Sequence, residues 1–132
     1  MSEAPAQPAI TVLVTGAGGF IGGFVVAALR RTGYRVRRGV RGPAMAEDDV
    51  RCDFATMTTA AQWRPLLAGV DVVVNVAGIL RETRSQRFET LHHAAPLALA
   101  QACVDTGVRR FVQISAVGAP EGTAITVEDL FF

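Results

Sequence analysis

Three glycines, Gly16, Gly19 and Gly22, stand three residues apart directly after the apolar run Thr11-Val12-Leu13-Val14-Thr15, and apolar residues at helical spacing resume behind them. The order reads as strand, tight turn, helix. Such a turn bares backbone N–H groups at a helix N-terminus, which suits the pyrophosphate of a dinucleotide. Gly16 would permit the sharp turn, Gly19 would admit phosphates close to the main chain, and Gly22 would let the helix approach the sheet. Gly18 and Gly23 are additional and depart from the strict pattern. A glycine triplet also serves as a plain turn; its place directly after a strand is what favours the phosphate reading.

Other groups with chemical potential are scattered. All 13 basic residues are arginine, the chain has no lysine, and Tyr34 is its only tyrosine. Cys52 and Cys103 are too few and too far apart for a disulfide framework or a metal knuckle, so buried free thiols and no metal site are expected. His92 and His93 lie on a predicted helix and read as face or water-linked residues before they read as a base. Ser115 ends a predicted strand.

The elements that position these residues alternate. A first strand over Ile10 to Thr15 is followed by a helix over Gly19 to Thr32. Phe20, Ile21, Phe24, Val25, Ala28 and Leu29 are expected on the inner face of that helix, and Gly33 caps it. Tyr34 to Val40 forms a second strand, too rich in arginine to be buried along its whole length. A short third strand around Val50 to Cys52 ends at Asp53. A helix over Thr58 to Leu67, broken by Pro65, leads to the β-branched fourth strand, Asp71 to Val76. A long helix over Phe88 to Thr106, bent at Pro96, and a fifth strand over Val108 to Ser115 complete the pattern.

This alternation predicts an α/β fold, a doubly wound parallel sheet of about five strands in order 3-2-1-4-5. Ligands in such sheets lie at the carboxyl ends of the strands, near the switch between strands 1 and 4. The glycine turn, Arg41, Asp53, Asn75 to Gly78 and Ser115 all fall on that edge.

The totals bound the rest. A chain of 132 residues, half of them hydrophobic, is one domain that buries about two thirds of its unfolded surface. Residues 1–9 read as a flexible tail and 10–132 as the domain. A net charge of +1 gives no reason to expect nucleic acid or an anionic membrane as partner. Met1 to Pro8 has no basic segment and is not a secretory signal; the longest apolar run, Val70 to Leu80, is too short to span a bilayer. A cytoplasmic, reducing compartment is expected.

Three blocks together, Val14-Thr15-Gly16-Ala17-Gly18-Gly19-Phe20-Ile21-Gly22, Asn75-Val76-Ala77-Gly78 and Gly107 to Ala116, make the chain resemble the short-chain dehydrogenase/reductase superfamily. The likeness is to its extended and atypical branches, which include sugar-nucleotide epimerases, NmrA-like sensors and the accessory subunit of respiratory complex I. The resemblance implies that Gly16, Gly19, Phe20, Ile21 and Gly22 line the pyrophosphate, that Asp53 and Phe54 meet the adenine, and that Asn75, Ala77 and Gly78 pass beside the adenosine. Relatives that use NAD carry an acidic residue at the tip of the second strand. Here Val40 holds that position, followed by Arg41, which with Arg38 could grip a 2′-phosphate. NADP is therefore favoured over NAD; the alternative is that these arginines are a solvated cluster.

Ser115 matches the serine that in family enzymes contacts the substrate beside a tyrosine and a lysine. No Tyr-x-x-x-Lys follows it, and the later strand, helix and substrate region of the family are absent up to Phe132, so a domain truncated at its C-terminus is expected. Two readings follow. One is the dinucleotide-binding portion of an oxidoreductase or epimerase whose hydride chemistry is absent or slow. The other is a non-catalytic NADP(H)-sensing or assembly module. In either, the apolar fifth strand is an exposed edge that invites a homodimer or a partner chain.

Overall fold

The computed structural model describes residues 9–76 and 94–114. Five strands, β1 (Thr11–Thr15), β2 (Arg35–Val40), β3 (Asp49–Arg51), β4 (Val72–Asn75) and β5 (Arg110–Gln113), form one sheet in the order β3-β2-β1-β4-β5. Every neighbouring pair is parallel, so all carboxyl ends share one edge, as predicted. Three α-helices, α1 (Phe20–Arg31), α2 (Ala60–Trp63) and α3 (Ala95–Thr106), and a 3-10 turn at Arg64–Leu67 cover the two faces.

The faces differ in what they bury. One packs Leu13, Val73 and Phe111 of the sheet against Trp63, Leu67, Leu99 and Cys103 of α2, the 3-10 turn and α3. The Trp63 indole is completely buried, and its Nε1–H donates to the Met57 carbonyl at 2.8 Å, so burial leaves no polar atom unpaired. The other face packs Val12, Val14, Val36 and Val74 against Ala17 and Val26.

The inner face of α1 departs from expectation. Gly22 and Val26 are buried and Val25 and Leu29 pack partly on the core, whereas Phe20, Ile21 and Phe24 are 82%, 51% and 64% exposed and Ala28 is exposed. The cause is steric. A Cβ on Gly22 would lie 2.0 Å from the Gly16 carbonyl oxygen, so the contact face must run through residue 22, and 3.6-residue periodicity then turns Phe20 and Phe24 outward. Those two rings pack edge to face at 5.0 Å.

Pro65 sits at the start of the 3-10 turn, the break expected from its missing N–H. Pro96 lies in the first turn of the described α3. The part of that helix predicted before residue 94 lies outside the described residues. Gly33, Gly69 and Gly107 adopt positive φ after α1, the 3-10 turn and α3, the left-handed conformation that glycine adopts without strain. No helix among the described residues is long and apolar enough to cross a membrane.

Candidate functional site

Gly16 leaves β1 with φ +72°, a conformation that strains any residue with a Cβ. Its carbonyl accepts from Gly19 N–H at 3.1 Å, and Gly19 in turn accepts from Gly23 N–H at 2.9 Å. Gly19 is the N-cap of α1 and brings no side-chain cap, and no acidic residue occupies the first turn. The N–H groups of Phe20, Ile21 and Gly22 are thus left without an acceptor in their own helix, beside a positive dipole end. Cβ atoms built on Gly18 and Gly19 would meet nothing closer than 3.5 Å among the described residues. Gly22 makes its close approach to the Gly16–Ala17 backbone, directly after β1. This donor set, with no competing carboxylate, fits a pyrophosphate.

The turn is tied to β2 by Ala17 N–H donating to the Gly39 carbonyl at 3.1 Å. A Cβ on Gly39 would lie 3.0 Å from Cys52 Sγ and 3.1 Å from Thr15 Cα, so glycine lets β2 and the end of β3 close on β1. At the tip beyond, Val40 pairs with Arg51, and Arg41 follows, exposed. Arg38 is engaged elsewhere: its Nη1 donates to Asp49 Oδ1 at 2.7 Å. The side chain of Asp49 is 3% exposed. Burial alone would raise its pKa, but the N–H groups of Ala46 and Met45 and the Arg38 guanidinium outweigh it and hold the carboxyl below its ordinary range.

Asp53 and Phe54 follow β3 and part company. Asp53 Oδ1 accepts from Ala55 N–H at 3.0 Å, the local turn chemistry of an Asx motif. The Phe54 ring turns into the core, 4.9 Å from the Trp63 ring, and is 4% exposed.

Under the middle of the edge runs a polar chain. Thr15 Oγ1 donates to Asn75 Oδ1, and Asn75 Nδ2 donates to Gln113 Oε1 at 2.7 Å. Gln113 Nε2 donates onward to the Ile114 carbonyl at 3.1 Å. Thr15 and Asn75 are fully buried, so this chain joins the ends of β1, β4 and β5 at no desolvation deficit. Ala77, Gly78, His92, His93 and Ser115 lie outside the described residues.

The burial of both thiols pushes Cys52 and Cys103 up to about 12, which makes them inert at neutral pH. Among the described residues no three His, Cys, Asp or Glu side chains converge on a metal position. Tyr34 immediately precedes β2, at the amino edge of the sheet and opposite the carboxyl ends of the strands.

Sequence reasoning missed Gly39, Asp49, Arg51 and Gln113. A glycine inside a strand is itself a signal of close backbone approach, and Gln113 is the one uncharged polar residue of β5. Asp49 carried no signal, because Glu47 and Asp48 beside it read equally well as an acidic loop.

Comparison with known proteins gives a consistent result. Residues 12–130 match the NAD dependent epimerase/dehydratase family. A ceramide reductase of Caulobacter vibrioides is 30% identical over 114 residues, covering 83% of this chain and 36% of the relative. Subunit 9 of the mouse mitochondrial NADH dehydrogenase 1 alpha subcomplex is 32% identical over 120 residues, covering 83% of this chain and 32% of the relative. A short-chain dehydrogenase/reductase superfamily protein from Agrobacterium tumefaciens, solved with bound NAD, superposes with a TM-score of 0.67 at 28% identity, covering 80% of this chain and 32% of that one. The chain spans about a third of the length of these relatives.

Proposed function

This chain belongs to the NAD dependent epimerase/dehydratase family, and we propose that it is the dinucleotide-binding portion of a short-chain-type oxidoreductase or epimerase that prefers NADP to NAD. The observation that carries the reading is the close approach of Gly22 to Gly16, which holds the uncapped N-terminus of α1 against the end of β1. A bound dinucleotide supplies hydride transfer; this chain supplies the main-chain donors for the pyrophosphate and the floor of Thr15, Asn75 and Gln113 beneath it. The preference for NADP rests on the tip of β2, where Val40 stands in place of a carboxylate and the exposed Arg41 follows. The 132 residues hold no lysine and a single tyrosine, Tyr34, so the role proposed for them is dinucleotide binding. The two free, buried thiols suit a reducing, cytoplasmic compartment.

Calorimetric titration with NADPH and NADH tests this. The expected result is micromolar binding, with NADPH tighter by about tenfold, or 1.4 kcal/mol. Tighter NADH would overturn the NADP preference and leave the dinucleotide site standing; binding of neither would overturn the site.

A second reading, a non-catalytic assembly module, is favoured by the place of β5 at one edge of the described sheet, with Val112 and Ile114 only partly buried. The similarity to a subunit of NADH dehydrogenase supports it. Docking through β5 predicts a dimer or a heteromeric complex in light scattering, and a monomer at high concentration would argue against self-association.

A further inference from the structure

The connection between β2 and β3 is organised by a single carboxylate. Asp49 Oδ2 accepts from Met45 N–H and Ala46 N–H, both at 3.1 Å, while Oδ1 accepts from Arg38. Main-chain bonds reinforce the same turn: Asp49 N–H donates to the Ala46 carbonyl at 3.0 Å and Arg38 N–H to the Asp48 carbonyl at 2.9 Å. Asp48 is spoken for as well, 3.6 Å from Arg30 of α1.

Arg38 pairs with Asp49 and Val40 with Arg51, so strand alternation puts all four residues on one face of the two strands, with Val40 and Arg51 at the carboxyl end. Arg38 spends its charge on Asp49. Arg41 and Arg51 are exposed and form no ion pair among the described residues. Two guanidinium groups without an ion pair among the described residues therefore flank the tip of β2, one just beyond that strand and one at the end of β3.

We propose that Arg51 is the second cation, with Arg41, of the position that receives the adenosine 2′-phosphate, and that Asp49 sets the selectivity of that position by withdrawing Arg38 and pinning residues 45–46. This rests on the dinucleotide-binding reading. Arg51 brings the planar donor fork that matches a phosphate bidentately, and it comes from β3, where no glycine motif points. The competing role for Arg51 is to guard the β3 edge against strand pairing. That role makes no distinction between two dinucleotides.

The test is the ratio of NADPH to NADH affinity in wild type, Arg51→Ala, Arg51→Lys, Asp49→Asn and the double variant Asp49→Asn/Arg38→Gln, each checked by circular dichroism. Arg51→Ala should lower the ratio by about tenfold, the scale of one charge-assisted hydrogen bond, with NADH affinity unchanged; Arg51→Lys should restore part of it. Asp49→Asn keeps an acceptor for the two N–H groups but cannot accept from Arg38, so it should release that cation and raise the ratio severalfold. Arg38→Gln placed on top of Asp49→Asn should abolish that rise, because the cation to be released is gone, and Arg51→Ala keeps the proposal falsifiable where an Asp49 variant does not fold. A ratio unmoved by Arg51→Ala, unmoved or lowered in folded Asp49→Asn, or still raised in the folded double variant overturns the proposal. Wild type that binds NADH as tightly as NADPH also overturns it while the dinucleotide site stands, and wild type that binds neither removes the site itself.

Discussion

The two faces of the sheet are built on different terms. On the α2–α3 face the buried side chains are large, with Trp63, Phe111, Leu13, Leu67 and Leu99 each at most 2% exposed. On the α1 face they are valine and alanine, the helix is held close by a glycine, and three large apolar side chains point away from the core. The large buried side chains are concentrated away from the glycine turn. The face that carries the glycine turn gives up side-chain volume so that backbone can meet backbone, because a phosphate cradle of N–H groups needs the main chain bare.

The sharpest way to break this contrast is to remove the largest buried side chain. Trp63→Ala should cost about 3–5 kcal/mol, measured by urea denaturation, and should unfold the chain before it alters the crevice. A cost below about 1 kcal/mol would mean that the α2–α3 face does not hold the fold.

Gly22→Ala tests the other face. Its Cβ meets backbone and not a flexible side-chain end, so overpacking of about 1–3 kcal/mol is expected, together with loss of measurable dinucleotide binding while the fold persists in circular dichroism. Binding retained at wild-type affinity would show that the helix can retreat without cost to the site.

A third prediction concerns the β2–β3 tip. The pKa of folded Asp49 lies below its ordinary value of 3.8, so its contribution to stability is present above that value and fades as pH falls through the lowered one. Thermal melts of wild type and Asp49→Asn should therefore differ at pH 6 and converge toward pH 2. Parallel curves across that range would contradict the role of the carboxylate.

The smallest effect is expected at Phe24, exposed on α1. Phe24→Ser should change stability by no more than about 0.5 kcal/mol, whereas Val26→Ala, one helical step inward, should exceed it in the same melt. Equal costs would mean that α1 is rotated from the orientation that Gly22 imposes.

Some of this was legible in residue order. The five strands and their 3-2-1-4-5 arrangement follow from alternating patterns and right-handed crossovers, and the cradle follows from glycines placed between a strand and a helix. The face of α1 was not legible, because Phe20, Ile21 and Phe24 satisfy an apolar period as well as Val25, Val26 and Leu29 do. Hydrophobicity names a periodicity; it does not say which of two neighbouring stripes turns inward. The place of the Phe54 ring was not legible either: its position after Asp53 does not say where the side chain goes, and it packs into the core beside Trp63.

By itself, then, the sequence determined the topology, the glycine turn and the absence of a lysine, since these depend on local conformation and on composition. Tertiary structure alone decided the rotation of α1, the capture of Arg38 by Asp49 and the polar chain from Thr15 through Asn75 to Gln113. Each of these turns on a contact between one element and another or its adjoining turn, and its energy depends on distances that no local pattern records.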